Sequence, residues 1–129
     1  MLHKSVPFHV QDIIRDPAGR YVIIQGELLT ERINLVNIYG PNKDDPRFYN
    51  NIFLLVAPLQ GQNIIAGDMN CTLDPERDRS TRVDNSHLCS RKMIQHFMRE
   101  LNLLDIWRYL NPTLISYSCY SATHQTYSE

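Results

Sequence analysis

The chain has 129 residues, 43% of them hydrophobic and 21% charged, with a formal net charge of -1. One domain of ordinary size fits that length, and the apolar share suffices for a core. The near-neutral balance excludes a long-range positive field that would advertise nucleic acid or a membrane surface, although a few local arginines need no basic chain around them. Three cysteines, Cys71, Cys89 and Cys119, are an odd number at wide spacings. They form neither a disulfide framework nor a paired zinc pattern, which predicts a reducing compartment. No apolar run approaches the roughly 20 residues of a membrane span. The N-terminus, Met1-Leu2-His3-Lys4-Ser5-Val6-Pro7, lacks an apolar signal core, so the expectation is a protein that is not secreted.

Residues 10–15 form a β-type run that leads into Asp16-Pro17-Ala18-Gly19, a turn by composition. Tyr21-Val22-Ile23-Ile24-Gln25, β-branched and aromatic, reads as the returning strand of a hairpin. Ile33-Asn34-Leu35-Val36-Asn37-Ile38-Tyr39 is expected to be a largely buried strand, stopped by Gly40-Pro41. A helix is predicted to start at Asp45-Pro46, where Asp caps free N–H groups and Pro suits the first turn. Its apolar face is read as Phe48, Ile52, Leu55, Val56 and Leu59. Asn63-Ile64-Ile65-Ala66-Gly67 follows as a short buried strand, and 71–86 is a long polar loop.

A second helix is predicted over about 87–101, with Ile94, Phe97, Met98 and Leu101 at helical spacing. Leu104, Ile106, Trp107 and Leu110 continue a helical apolar stretch in which Trp107 is expected to anchor packing. Residues 115–120 read as another strand. Tyr127-Ser128-Glu129 follows a turn and reads as the start of a further one, so the sequence is expected to be a fragment of a larger domain. The order β, β, β, α, β, α, β combines hairpins with crossover helices. That predicts an α/β fold with mixed sheets flanked by helices rather than a doubly wound parallel one.

Chemistry concentrates at two strand ends. Gly67-Asp68-Met69-Asn70 places a carboxylate and a carboxamide two residues apart, on the same side if the backbone stays extended. That pair suits an oxygen-ligand divalent cation or an oriented water. Turn formation alone explains the same residues. Asn37-Ile38-Tyr39-Gly40-Pro41-Asn42 also closes an apolar strand, and its phenol and amide can donate hydrogen bonds to a phosphate. A core tyrosine before a Gly-Pro turn is the plainer account. Arg77, Arg79 and Arg82 are interleaved with acids, as in a solvated loop or a phosphate-contacting one. No nucleophile elbow, phosphate loop, dinucleotide fingerprint or Cys-x-x-Cys pair is present.

Taken in order, these motifs resemble the endonuclease/exonuclease/phosphatase family. They are closest to the endonuclease domain of non-LTR retrotransposon (long interspersed element) reverse-transcriptase polyproteins. Asp16-Pro17-Ala18-Gly19-Arg20-Tyr21-Val22, Asp78-Arg79-Ser80 and Leu104-Asp105-Ile106-Trp107-Arg108 carry the likeness further. So does Tyr117-Ser118-Cys119-Tyr120-Ser121 with His124-Gln125-Thr126-Tyr127-Ser128, so that the resemblance spans nearly the whole chain. It implies a four-layer α/β sandwich, incomplete here, with 1–129 as a partial domain. The implied activity is Mg²⁺-dependent nicking of DNA that frees a 3′-hydroxyl to prime reverse transcription.

By resemblance, Asp68 binds the metal or orients water and acts as general base, Asn70 positions the water and phosphate and shares the metal, and Tyr39 steadies the transition state. Asn42, Arg79 and Ser118 are the implied substrate contacts. The family's early Asn and Glu, and its later Asp and Asp-His pair, have no counterpart in this sequence, so the expectation is little or no activity from these residues alone. The alternatives are a non-catalytic DNA- or protein-binding remnant of the fold and a phosphoesterase of the same family. The expected protein is a monomer that contacts the DNA phosphate backbone, avoids membranes, and resides in the nucleus or cytoplasm.

Overall fold

The computed structural model describes residues 5–74 and 86–113, and the backbone of 119–121 and 126–128. The chain divides into two compact units, Met1–Gly40 with Asn51–Met69, and Pro41–Asn50 with Asn70–Glu129. The architecture is α/β, as the alternation of β-branched runs with helical periodicity predicts.

The first unit is built on a four-stranded mixed sheet in the order β1-β2-β3-β4. Its strands are β1 (Phe8–Arg15), β2 (Tyr21–Leu28), β3 (Glu31–Tyr39) and β4 (Gln62–Asp68). The β1–β2 and β2–β3 pairs are antiparallel, and β3–β4 is parallel. The predicted first turn forms as its composition dictates. Gly19 N donates to Asp16 O at 2.9 Å, Arg20 N donates to Asp16 Oδ2 at 2.9 Å, and Gly19 takes φ 71. The second hairpin turns at Leu29, which carries φ 58 and is exposed.

Parallel pairing needs a crossover, and α1 (Pro46–Val56) supplies it between β3 and β4. Asp45 caps this helix as expected, Oδ1 accepting from Phe48 N at 3.2 Å. The buried face of α1 keeps Ile52 and Val56 of the predicted set, but Tyr49 and Phe53 complete it. Tyr49, Ile52, Phe53 and Val56 are buried, a strict i, i+3, i+4, i+7 set, while Phe48 and Leu55 are half-buried. Large apolar residues on adjoining faces of the same helix hid the true stripe from a periodicity reading.

The sheet has one well-covered face. Ile23 of β2 and Asn34, Val36 and Ile38 of β3 are buried on it, the last three at alternate positions. On the other face Ile13 and Val10 of β1, Asn37 and Tyr39 of β3, and Ile64, Ala66 and Asp68 of β4 are exposed. The expectation that β4 is a buried strand is therefore corrected: it lies at the end of the sheet order, and its outward side chains face solvent. Asn34, 2% exposed, is satisfied by donating Nδ2 to Gln60 O at 3.2 Å and to Asn63 Oδ1 at 2.9 Å.

The second unit contains the first part of α1, helices α2 (Leu88–Glu100) and α3 (Ile106–Leu110), and an antiparallel pair, β5 (Cys119–Ser121) and β6 (Thr126–Ser128). The N-terminus of α2 is capped from a distance. Asp44 accepts from Cys89 N at 3.1 Å, Ser90 N at 2.7 Å and Ser90 Oγ at 2.6 Å. The serine hydroxyl, aided by the two backbone N–H groups, lowers the Asp44 carboxyl to about 2. At its other end the helix closes in a Schellman arrangement, with Asn102 at φ 50 and Leu103 N donating to Met98 O at 2.8 Å.

Two side chains of α2 hold the segment that follows β4. Buried Arg91 donates Nε to Thr72 O at 2.7 Å, and Gln95 donates Nε2 to Leu73 O at 3.0 Å. Ile94 is buried, but Leu104, Ile106, Tyr109 and Leu110 are exposed. Trp107, expected to anchor packing, is 37% exposed and carries the Arg108 guanidinium over its ring at 4.8 Å. Of the strand predicted over 115–120, the described residues Cys119 and Tyr120 lie in β5. Among the described residues, no helix is long and apolar enough to cross a membrane.

Candidate active site

Two parallel strands end side by side. β3 closes on Tyr39 and β4 on Asp68, and the register pairs these two residues directly. Neighbouring strands lie about 4.8 Å apart, and paired residues share a face, so the phenol and the carboxylate leave the sheet together on its exposed side. Tyr39 is 55% exposed and Asp68 is also exposed. The C-terminal edge of parallel strands is where open α/β sheets place their ligands.

The local sequence fixes this edge. Gly40 N donates to Asp68 O at 2.6 Å, which ties the chain leaving β3 to the last residue of β4. Gly67 has φ 126, and a Cβ there would press on the Ile38 carbonyl oxygen and lie 2.7 Å from Ile38 N and 2.8 Å from Asn37 Oδ1. Only glycine lets β4 approach β3 this closely one residue before Asp68.

The remaining expected site residues fall as follows. Asn70 stands two residues beyond Asp68 with φ 46, so the backbone turns left-handed there. The extended geometry expected to align its amide with Asp68 is therefore absent. Asparagine tolerates this conformation better than most residues, which makes Asn70 a chain-turning residue as well as a polar one. It is half-buried and belongs, with exposed Asn42, to the second unit. Arg79 and Ser118 lie outside the described residues. Among the described residues, no group of three His, Cys, Asp or Glu side chains gathers to hold a metal ion.

The sequence reading passed over three neighbours of Tyr39. An open cleft of about 360 Å³ on the same face is lined by Arg15, Arg20, Asn37 and Tyr39 beside the Asp16–Gly19 turn. Tyr39 N donates to Arg20 O at 2.7 Å, so Arg20, Tyr39 and Asp68 follow one another across the sheet in a single row. Arg15, Val22, Asn37 and Ala66 form the row behind it. The signal in the sequence was the hairpin turn with an arginine at each end, but the register that carries Arg20 to Tyr39 is long-range. A second cavity of about 300 Å³ near the start of β3 is lined by Gln11, Gln25, Arg32, Asn34 and Gln60, where Arg32 donates to Gln60 Oε1 at 2.7 Å and Asn34 donates to Gln60 O at 3.2 Å.

Compared with models of known protein families, the sequence matches none.

Proposed function

We propose that the row ending on Asp68 is the hydrolytic edge of a DNA-nicking endonuclease of the endonuclease/exonuclease/phosphatase type. The observation that carries this reading is the in-register pairing of Tyr39 with Asp68 at the ends of two parallel strands, both exposed on one face. Asp68 accepts a proton from a water whose oxygen attacks the phosphorus of a backbone phosphodiester. As the new P–O bond forms, the bond to the 3′ oxygen breaks. The 3′ oxygen takes a proton from solvent water and leaves as a hydroxyl, Asp68 returns its proton to solvent, and the phosphate stays on the 5′ side. Tyr39 donates its phenolic hydrogen to a non-bridging oxygen of that phosphate, where negative charge grows in the transition state.

The donor set fits a magnesium ion held loosely. Mg²⁺ is commonly bound by one or two carboxylates together with substrate phosphates, and Asp68 supplies one exposed carboxylate at the strand end. When bound, the ion supplies charge neutralisation at the phosphate and the leaving oxygen. A single carboxylate leaves most of that coordination to DNA and water. Because groups of this kind act as a unit, the 129 residues alone are expected to nick slowly.

The test is conversion of supercoiled plasmid to open circles by the chain and by Asp68→Ala, each with Mg²⁺ and with chelator. Mg²⁺-dependent nicking that Asp68→Ala lacks supports the reading. Equal behaviour of two folded proteins refutes catalysis at this row, and DNA binding without any response to Mg²⁺ then marks a binding module.

A further inference from the structure

We infer that Arg15 and Arg20 form a clamp for a backbone phosphate of the DNA strand, beside the phosphate held at Tyr39. This rests on the endonuclease reading and names a contact that it did not include. The two guanidiniums bracket the first hairpin turn and both line the cleft that Tyr39 and Asn37 also line. Register places them on the exposed face: Arg15 pairs with Val22, Val22 with Asn37, and Arg20 lies across from Tyr39. Strand spacing of about 4.8 Å puts Arg20 one strand from Tyr39 and two strands from Asp68. Arg15 stands on the adjoining edge strand.

The charge of the cleft favours an anion. It holds two arginines against one carboxylate, that of Asp16, whose Oδ2 is already taken by the Arg20 backbone N–H at 2.9 Å. Among the described residues, no carboxylate is in an ion pair with either guanidinium. Both arginines are exposed, so their donors remain hydrated and available. Each guanidinium offers five N–H groups in a fixed fork that matches phosphate oxygens, and the Tyr39 hydroxyl and the Asn37 amide add neutral donors.

The chain as a whole carries -1, so it gains no general attraction to DNA. Any phosphate contact has to come from a local cluster, and this one lies on the same face and at the same sheet end as Asp68. The turn itself is preorganised by the Gly19 N to Asp16 O bond at 2.9 Å. Little loop ordering remains to be done on binding.

The experiment is fluorescence anisotropy of a labelled double-stranded oligonucleotide in chelator, with KCl varied from about 50 to 200 mM. It compares the wild-type chain, the double variant Arg15→Gln/Arg20→Gln, and Arg15→Lys/Arg20→Lys. Arg32→Gln, at the opposite end of β3, is the control. The clamp predicts that the double Gln variant binds at least tenfold more weakly and that its slope of log K against log salt falls by about 0.9 or more. The Lys variant should keep the slope because it keeps the charge, and Arg32→Gln should match wild type.

An unchanged slope in the Gln variant, with wild-type binding intact, overturns the clamp and leaves the endonuclease reading standing. Absence of wild-type binding at low salt overturns both. If inorganic phosphate at constant ionic strength displaces the oligonucleotide from wild type but not from the Gln variant, the cleft takes free phosphate. The assignment to DNA backbone then fails.

Discussion

Gly67→Ala tests the closest approach in the site. The added methyl would press on the Ile38 carbonyl oxygen and meet Ile38 N at 2.7 Å and Asn37 Oδ1 at 2.8 Å, all on β3. None of these atoms is the free end of a flexible chain except the Asn37 amide, so the strands have to move apart. Alanine must also adopt φ 126, a region that costs an L-residue about 1–3 kcal/mol. Overpacking against fixed backbone adds about 1–3 kcal/mol more. The expected loss is therefore about 2–6 kcal/mol, a large share of the roughly 5–15 kcal/mol that holds an ordinary domain together.

Gly19→Ala is the internal control: it also sits at positive φ, 71, but a Cβ there meets nothing within 4 Å. Only backbone strain remains, about 1–2 kcal/mol. Urea unfolding followed by far-ultraviolet circular dichroism separates the two. Gly67→Ala should lower the midpoint at least twice as far as Gly19→Ala. Equal midpoints would mean that β4 does not lie against β3 in the register that brings Asp68 to Tyr39, and the account of the site would fall with it.

Asp44→Ala removes the cap of α2 and should cost about 1 kcal/mol at neutral pH, read from the urea midpoint. The sign of its pH dependence follows from the carboxyl being lowered from 3.8 to about 2 in the folded chain. The stabilisation is complete above the unfolded value and disappears as pH falls from about 4 toward 2, so the gap between wild type and Asp44→Ala should close over that window. Asn34→Ala leaves Asn63 Oδ1 and the Gln60 carbonyl without the donor they share and opens space at a buried site. It should cost about 1–3 kcal/mol, measured by urea melts, while Asn63→Ser restores part of the loss by shrinking the orphaned acceptor.

Most of the first unit was legible because its signals are local. The Asp16-Pro17-Ala18-Gly19 turn, the β-branched runs on either side, and the Asp45-Pro46 start each act over a few residues, and each formed. What was not legible depends on partners far along the chain. Whether β4 is buried turns on what lies over its outer face, which Ile64 and Ala66 cannot announce, being apolar in either case. The α1 stripe was blurred because Phe48 and Leu55 adjoin the residues that are buried.

At the site, the Tyr39 and Asp68 strand ends were found from sequence because each follows an apolar run directly. At Asn70 the sequence left a turn and an extended pair both open, because an Asp-x-Asn spacing reads the same whether the second residue is extended or at φ 46, and the chain turns. The α2 cap was invisible for a different reason. Helix caps are sought next to the helix, and here Asp44 comes from a segment far earlier in sequence.

The order of side chains along the edge has a chemical consequence. Across the sheet end the row reads guanidinium, phenol, carboxylate, at Arg20, Tyr39 and Asp68. If Arg20 and Asp68 were adjacent they would pair, and each would cancel the property it contributes. With Tyr39 between them, their backbones are about 10 Å apart, and at the dielectric of water two unit charges at that distance interact by only about 0.4 kcal/mol. The arginine and the carboxylate therefore do not neutralise one another along the row. Tyr39, uncharged, can approach the same phosphate from between them without opposing either. The separation also predicts that the two ends fail independently. Loss of the arginines should weaken DNA binding and its salt response while the rate on saturated DNA holds, and loss of Asp68 should abolish nicking while binding holds.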